Sequence, residues 1–128
     1  MPSALPHPPT THPEREEGEG PPAGAREQRR LLRGRSFAML EWGEVVGAPT
    51  VFLHGFLDHA GSWSRVAGQL DGWRIALDLR GHGRSDWAGP GETYHFPEYL
   101  ADLDALVVAL GGTVRLVGHS MGGTVASL

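Results

Sequence analysis

Gly118-His119-Ser120-Met121-Gly122 sets one hydroxyl between two glycines, at the point where the apolar run Val114–Val117 gives way to a helical pattern. A serine on a sharp strand-to-helix turn projects its oxygen from the end of a sheet, and the helix N-terminus beside it supplies free N–H groups and partial positive charge. The chemistry this offers is nucleophilic attack on a carbonyl. Gly118 and Gly122 are expected to leave room for the turn, and Gly123 to let the new helix pack closely. The five-residue pattern is weak by itself in a chain with 19 glycines, so its setting must carry the argument. The plainer alternative is a glycine-rich turn bearing a solvated serine.

A second element of the same chemistry follows the apolar run Thr50–Leu53, in His54-Gly55-Phe56. If both runs are parallel strands, this loop and Ser120 share the C-terminal edge of the sheet, where ligands of open α/β folds bind. The N–H groups of Phe56 and Met121 are then the expected pair of donors to an oxyanion. His54 reads as a hydrogen-bonded structural histidine and not as a base. The same applies to Asp78-Leu79-Arg80-Gly81-His82-Gly83-Arg84-Ser85, where the abundance of mutual partners suggests a loop scaffold. His119 is expected to be packed or bonded to a loop. The histidines lack the paired spacing of metal ligands, so neither a metal nor a cofactor is expected.

These groups need a frame. Arg29–Arg33 and Ser36–Trp42 flank Gly34-Arg35 as two short strands with a tight turn, and Phe37, Met39 and Glu41 alternate with Ala38, Leu40 and Trp42. Thr50–Leu53, Trp73–Leu79 and Thr113–Val117 read as strands buried on both faces. A helix is predicted from about Ser62, through Trp63, Val66, Ala67 and Leu70, to Asp71-Gly72. Residues 80–97 form a long loop, which in a compact domain is often functional. Pro97 opens a second helix that carries Tyr99, Leu100, Leu103, Leu106, Val107 and Leu110 and stops at Gly111-Gly112. Another helix begins at Met121. Strands alternating with helices imply an α/β fold with a parallel sheet and helices on both faces.

Composition divides the 128 residues in two. Residues 1–28 hold seven of the ten prolines and a charge of −3, with only Met1, Ala4, Leu5, Ala23 and Ala25 to bury, and are expected to be a disordered tail. Residues 29–128 are nearly neutral at −1, which argues against nucleic acid or an anionic membrane as partner. Without cysteine there is no disulfide and no thiol chemistry. No apolar run reaches membrane-spanning length and no secretory signal opens the chain, so the default expectation is a cytoplasmic protein acting on a small molecule.

His54-Gly55-Phe56, Asp78 to Ser85 and Gly118 to Gly123, in that order and at those separations, resemble the N-terminal half of an α/β-hydrolase fold protein. The resemblance covers residues 29–128. It implies a mostly parallel sheet with helices on both faces, cut off after the nucleophile elbow, with Thr50–Leu53 lying between the other two parallel strands. It makes Ser120 the nucleophile, Phe56 and Met121 the oxyanion donors, and the loop after Asp78, with the aromatics Phe56, Trp87, Tyr94 and Phe96, part of the rim. A serine at 120 rather than an aspartate points to esterase, C–C hydrolase or haloperoxidase-like relatives, and away from haloalkane dehalogenases and epoxide hydrolases. The implied substrate is ester-like.

In that fold the triad acid and histidine follow the serine, yet Met121-Gly122-Gly123-Thr124-Val125-Ala126-Ser127-Leu128 contains neither. The sequence is therefore expected to be part of a longer chain and inactive alone. The alternative is a binding or regulatory fragment that pairs its open edge strand, Thr113–Val117, with a partner.

Overall fold

The computed structural model describes residues 21–22, 24–86 and 96–127. Most of the expected tail, and the rim residues Trp87 and Tyr94, lie outside them. The hairpin is β1 (Arg26–Leu32) and β2 (Arg35–Trp42), antiparallel from Arg26↔Glu41 to Leu32↔Arg35. Its two turn residues are Arg33 and Gly34, with φ of 50° and 78°, the left-handed pair that matches the twist of a two-residue hairpin loop. The turn thus sits one residue earlier than expected. β1 also starts at Arg26, so Arg26, Glu27 and Gln28, which composition assigned to the tail, belong to the hairpin.

β3 (Thr50–Leu53), β4 (Arg74–Leu77) and β5 (Arg115–Gly118) complete a sheet of order β1-β2-β4-β3-β5. β4, β3 and β5 are parallel, whereas β2 runs antiparallel to β4. The sheet is mixed, where the resemblance implied a mostly parallel one, because the hairpin supplies two of its five strands. β3 does lie between β4 and β5. Val51, Leu53, Ile75 and Leu77 face one core with Phe37 and Met39, and Phe52 and Ala76 face the other with Leu40 and Trp42. That division explains why β3 and β4 read as unbroken apolar runs.

The first core is covered by α2 (Phe96–Ala109) and α3 (Met121–Ser127). α2 buries Tyr99, Asp102, Leu103 and Leu106 at helical spacing. It ends as the glycines predict: Gly111 N–H donates to the Val108 carbonyl at 3.2 Å and Gly112 N–H to Val107 at 2.8 Å, with both glycines at positive φ. The second core is covered by a 3-10 turn (Ala60–Trp63) and α1 (Ser64–Ala67), which together bury only Ala60 and Ala67. The helix predicted to reach Asp71 is thus a single turn. Val66 and Leu70, counted as its apolar stripe, are exposed, so no packing sustains further turns.

β5 departs most from its expected burial. All four of its residues are exposed, and among the described residues only β3 pairs with it, along one edge. Among the described residues no helix is long and apolar enough to cross a membrane.

Candidate active site

Ser120 stands between β5 and α3 with φ of 55°, a left-handed conformation in a residue that has a Cβ. Two glycines make the turn possible. A Cβ on Gly118 would lie 2.5 Å from the Gly122 carbonyl and from the Gly123 nitrogen, and one on Gly122 would lie 2.2 Å from the Leu53 oxygen and 2.6 Å from that of His54. The helix start is therefore pressed against the end of β3. Gly123 was expected to permit that approach, but a Cβ there meets Gly118 only at 3.5 Å, an ordinary contact. The His119 N–H fixes the turn by donating to the Leu53 carbonyl at 3.0 Å.

The same end of β3 leads into the other predicted loop. A Cβ on Gly55 would sit 3.4 Å from the Cβ of Ser120, so the backbone of 55 lies alongside the serine. Neither Phe56 N–H nor Met121 N–H has an acceptor among the described turn, loop and cap hydrogen bonds. Met121 is the first residue of its helix, where the N–H has no intrahelical carbonyl to meet. Ser120 is exposed. The structure thus brings Ser120 against the loop of Phe56, with Met121 next in the chain.

The histidines take different parts. Leu79 N–H donates to His54 Nε2 at 3.0 Å, which leaves the ring proton on Nδ1 to be donated to the Gly55 carbonyl at 2.7 Å. With both nitrogens committed, His54 holds β3, the Gly55 loop and the end of β4 together, as a scaffold. Burial pushes its pKa below the ordinary histidine value, and this outweighs the Gly55 carbonyl, which favours the charged ring. Since the folded value lies below the unfolded one of about 6.5, the neutral ring adds stability in full above that pH. This stability is lost as pH falls through the depressed folded value. We expect the His54 ring to titrate below pH 6.5 in NMR and the acid-side loss of stability to shrink in His54→Gln. His119, expected to be packed or bonded to a loop, is exposed, which removes the packed alternative.

Asp78 at the end of β4 accepts from Ala60 N–H at 2.7 Å and Arg84 N–H at 3.1 Å, so its carboxylate joins the loop after β3 to the loop after β4. Ser85 bridges Ala38 N–H and the Asp78 carbonyl. The Asp78 to Ser85 segment is the scaffold its composition suggested. His82 donates from Nδ1 to the Arg80 carbonyl at 2.8 Å, and its ring meets the edge of Phe56 with centroids 5.6 Å apart.

Two site features escaped the sequence reading. Asp102 is fully buried and binds Arg80 through both carboxylate oxygens at 2.9 Å. An acid on the apolar stripe of a helix was the available signal, since a buried carboxylate demands a cationic partner. The other is the backbone of Leu57, at φ 65°. Nothing in its residue type announces it.

A mixed sheet in which the middle one of three parallel strands abuts a strained, exposed serine at a strand-to-helix turn defines an α/β fold built around a nucleophile elbow. The model of the alpha/beta hydrolase fold family matches residues 49–128. The chain belongs to the α/β-hydrolase fold family. It is 40% identical over 90 residues to a serine hydrolase-like protein of Danio rerio, covering 68% of this chain and 28% of that protein. It is 42% identical over 87 residues to lipase LipV of Mycobacterium tuberculosis, covering 66% and 32%. Among solved structures, the hypothetical protein PA1622 of Pseudomonas aeruginosa superposes with a TM-score of 0.75 at 38% identity, over 80% of this chain and 37% of that one. Epoxide hydrolase VrEH1 of Vigna radiata superposes with a TM-score of 0.71 at 29% identity, over 80% and 34%. The chain spans about a third of the length of each of these proteins.

Proposed function

We propose that this chain carries the nucleophile and the oxyanion donors of a serine hydrolase that cleaves carboxylic esters. The observation behind the reading is Ser120 itself, held at a strained φ of 55° and exposed against the Gly55 loop. In the reaction, Ser120 Oγ attacks the ester carbonyl carbon and gives up its proton to a base. Negative charge collects on the carbonyl oxygen, where the N–H groups of Phe56 and Met121 receive it, each contributing on the order of 3 kcal/mol. The intermediate collapses, the alcohol leaves with a proton, and water releases the acid from the serine ester. A relative named as a lipase supports the ester class, and one named serine hydrolase-like supports a serine nucleophile.

No acid or histidine follows Ser120 in this sequence, so the serine here lacks the base and orienting acid that would follow it in the resembled fold. The chain alone is accordingly slow, with turnover limited to the roughly 10³–10⁴-fold over water that remains when triad members are removed. A fluorophosphonate probe tests the nucleophile directly, because it modifies a serine that a base has activated. In protein extended to a full-length gene product, labelling is expected on Ser120 by peptide mass spectrometry and should vanish in Ser120→Ala. The open edge of β5 favours a second reading, a fragment that binds a partner strand. That reading predicts a Ser120 that stays unlabelled in the parent and, for this chain, a complex larger than a monomer by light scattering.

A further inference from the structure

The turn after β3 carries an apolar side chain where backbone geometry favours glycine. Asp58 N–H donates to the Gly55 carbonyl at 3.2 Å, closing a four-residue turn whose third residue, Leu57, has φ of 65°. Positive φ at that position crowds a Cβ against the backbone, which is why such turns select glycine or asparagine. Leu57 gains no burial in exchange, since it is 80% exposed. Phe56 beside it is also exposed, yet its ring rests against His82. The strain at Leu57 is therefore not offset by burial, and such outliers cluster at active sites and ligand clamps.

The location says which ligand. Leu57 is two residues from Gly55, whose backbone lies alongside Ser120, and one from the Phe56 N–H. Gly55, Phe56 and Leu57 bring no charge to this lip of the site, so it suits an uncharged, water-averse group. We propose that Leu57 is a specificity-determining residue, whose side chain packs on an aliphatic acyl chain attached to the carbonyl carbon under attack. The proposal rests on the reading of Ser120 as nucleophile.

The test uses this chain with 13C-labelled leucine methyl groups and, for the labelling rates, protein extended to a full-length gene product, each as parent and as Leu57→Gly. Glycine relieves the positive φ, so the variant should fold with a melting temperature equal to or above that of the parent. Octanoate should shift the Leu57 methyl resonances saturably, and acetate should not. The ratio of Ser120 labelling rates for octyl and ethyl fluorophosphonates should fall on the order of tenfold in Leu57→Gly. Methyl resonances silent to octanoate, or an unchanged ratio in the variant, would overturn the proposal. Methyl shifts without labelling by either reagent would instead remove the nucleophile reading and leave the acyl-binding surface standing.

Discussion

Gly122→Ala is expected to cost about 3 kcal/mol of folding stability, near the upper end for inserting one methyl group into a packed site. Gly123→Ala, one residue on, should be neutral or stabilising by up to about 1 kcal/mol. The contrast follows from what each new Cβ meets. At 122 it meets the carbonyl oxygens of Leu53 and His54 at 2.2 and 2.6 Å, which are backbone atoms at the end of β3. Relief requires α3 to move off β3, taking Met121 N–H and Ser120 with it. At 123 the nearest atom is 3.5 Å away, and alanine simply improves helix propensity within α3. A domain of this size has about 5–15 kcal/mol in total, so the first substitution should shift the urea midpoint markedly downward. Ser120 labelling should fall with it, even at urea concentrations where the variant stays folded. Similar midpoints for the two alanine variants would mean that α3 does not depend on close contact with β3.

What sequence reading recovered here divides along the range of the forces involved. Local backbone chemistry was legible: Gly111-Gly112 ends α2 through its own hydrogen bonds, and Val51 to Leu53 and Ile75 to Leu77 are apolar on both faces because both faces are covered. The pairing of Ser120 with the Phe56 loop was legible for a related reason, since parallel strands carry the loops at their C-terminal ends to one edge. The extent of α1 was not. Trp63, Val66, Ala67 and Leu70 have the spacing of an apolar stripe, but only Ala67 of the four is buried, and spacing alone cannot say whether a partner surface is present. Glycine roles were legible in kind but misplaced in position, because Gly122 and Gly123 are identical in sequence and differ only in which one faces β3. Leu57 lay beyond reach altogether. Its positive φ is imposed by the turn from Gly55 to Asp58 and contradicts the preference of its own residue type.

Asp102→Leu should cost about 3–5 kcal/mol, the loss typical of stranding a buried charge, whereas the double variant Arg80→Met with Asp102→Leu should recover most of it. Arg80 is only 2% exposed and Asp102 not at all, and the two share a bidentate pair of hydrogen bonds. Arg33, from the hairpin turn, adds a third contact to Asp102 at 3.0 Å, while Glu98 lies 3.4 Å from both arginines. The cluster thereby ties together the β1–β2 turn, the loop after β4 and the first turns of α2. Without Asp102, the Arg80 guanidinium keeps the half-exposed Glu98 as its acidic neighbour, a weaker compensation than a buried carboxylate gripping two of its nitrogens. Removing both charges eliminates the desolvation cost instead of exposing it, and Met and Leu supply apolar volume on the buried face of α2. Because the pair is buried, the penalty of the single variant should change little between low salt and 1 M salt on the scale that would screen a surface ion pair, about 3 Å of Debye length notwithstanding. A double variant as unstable as the single one would place the cost in the lost shape of the guanidinium–carboxylate pair, and not in the stranded charge.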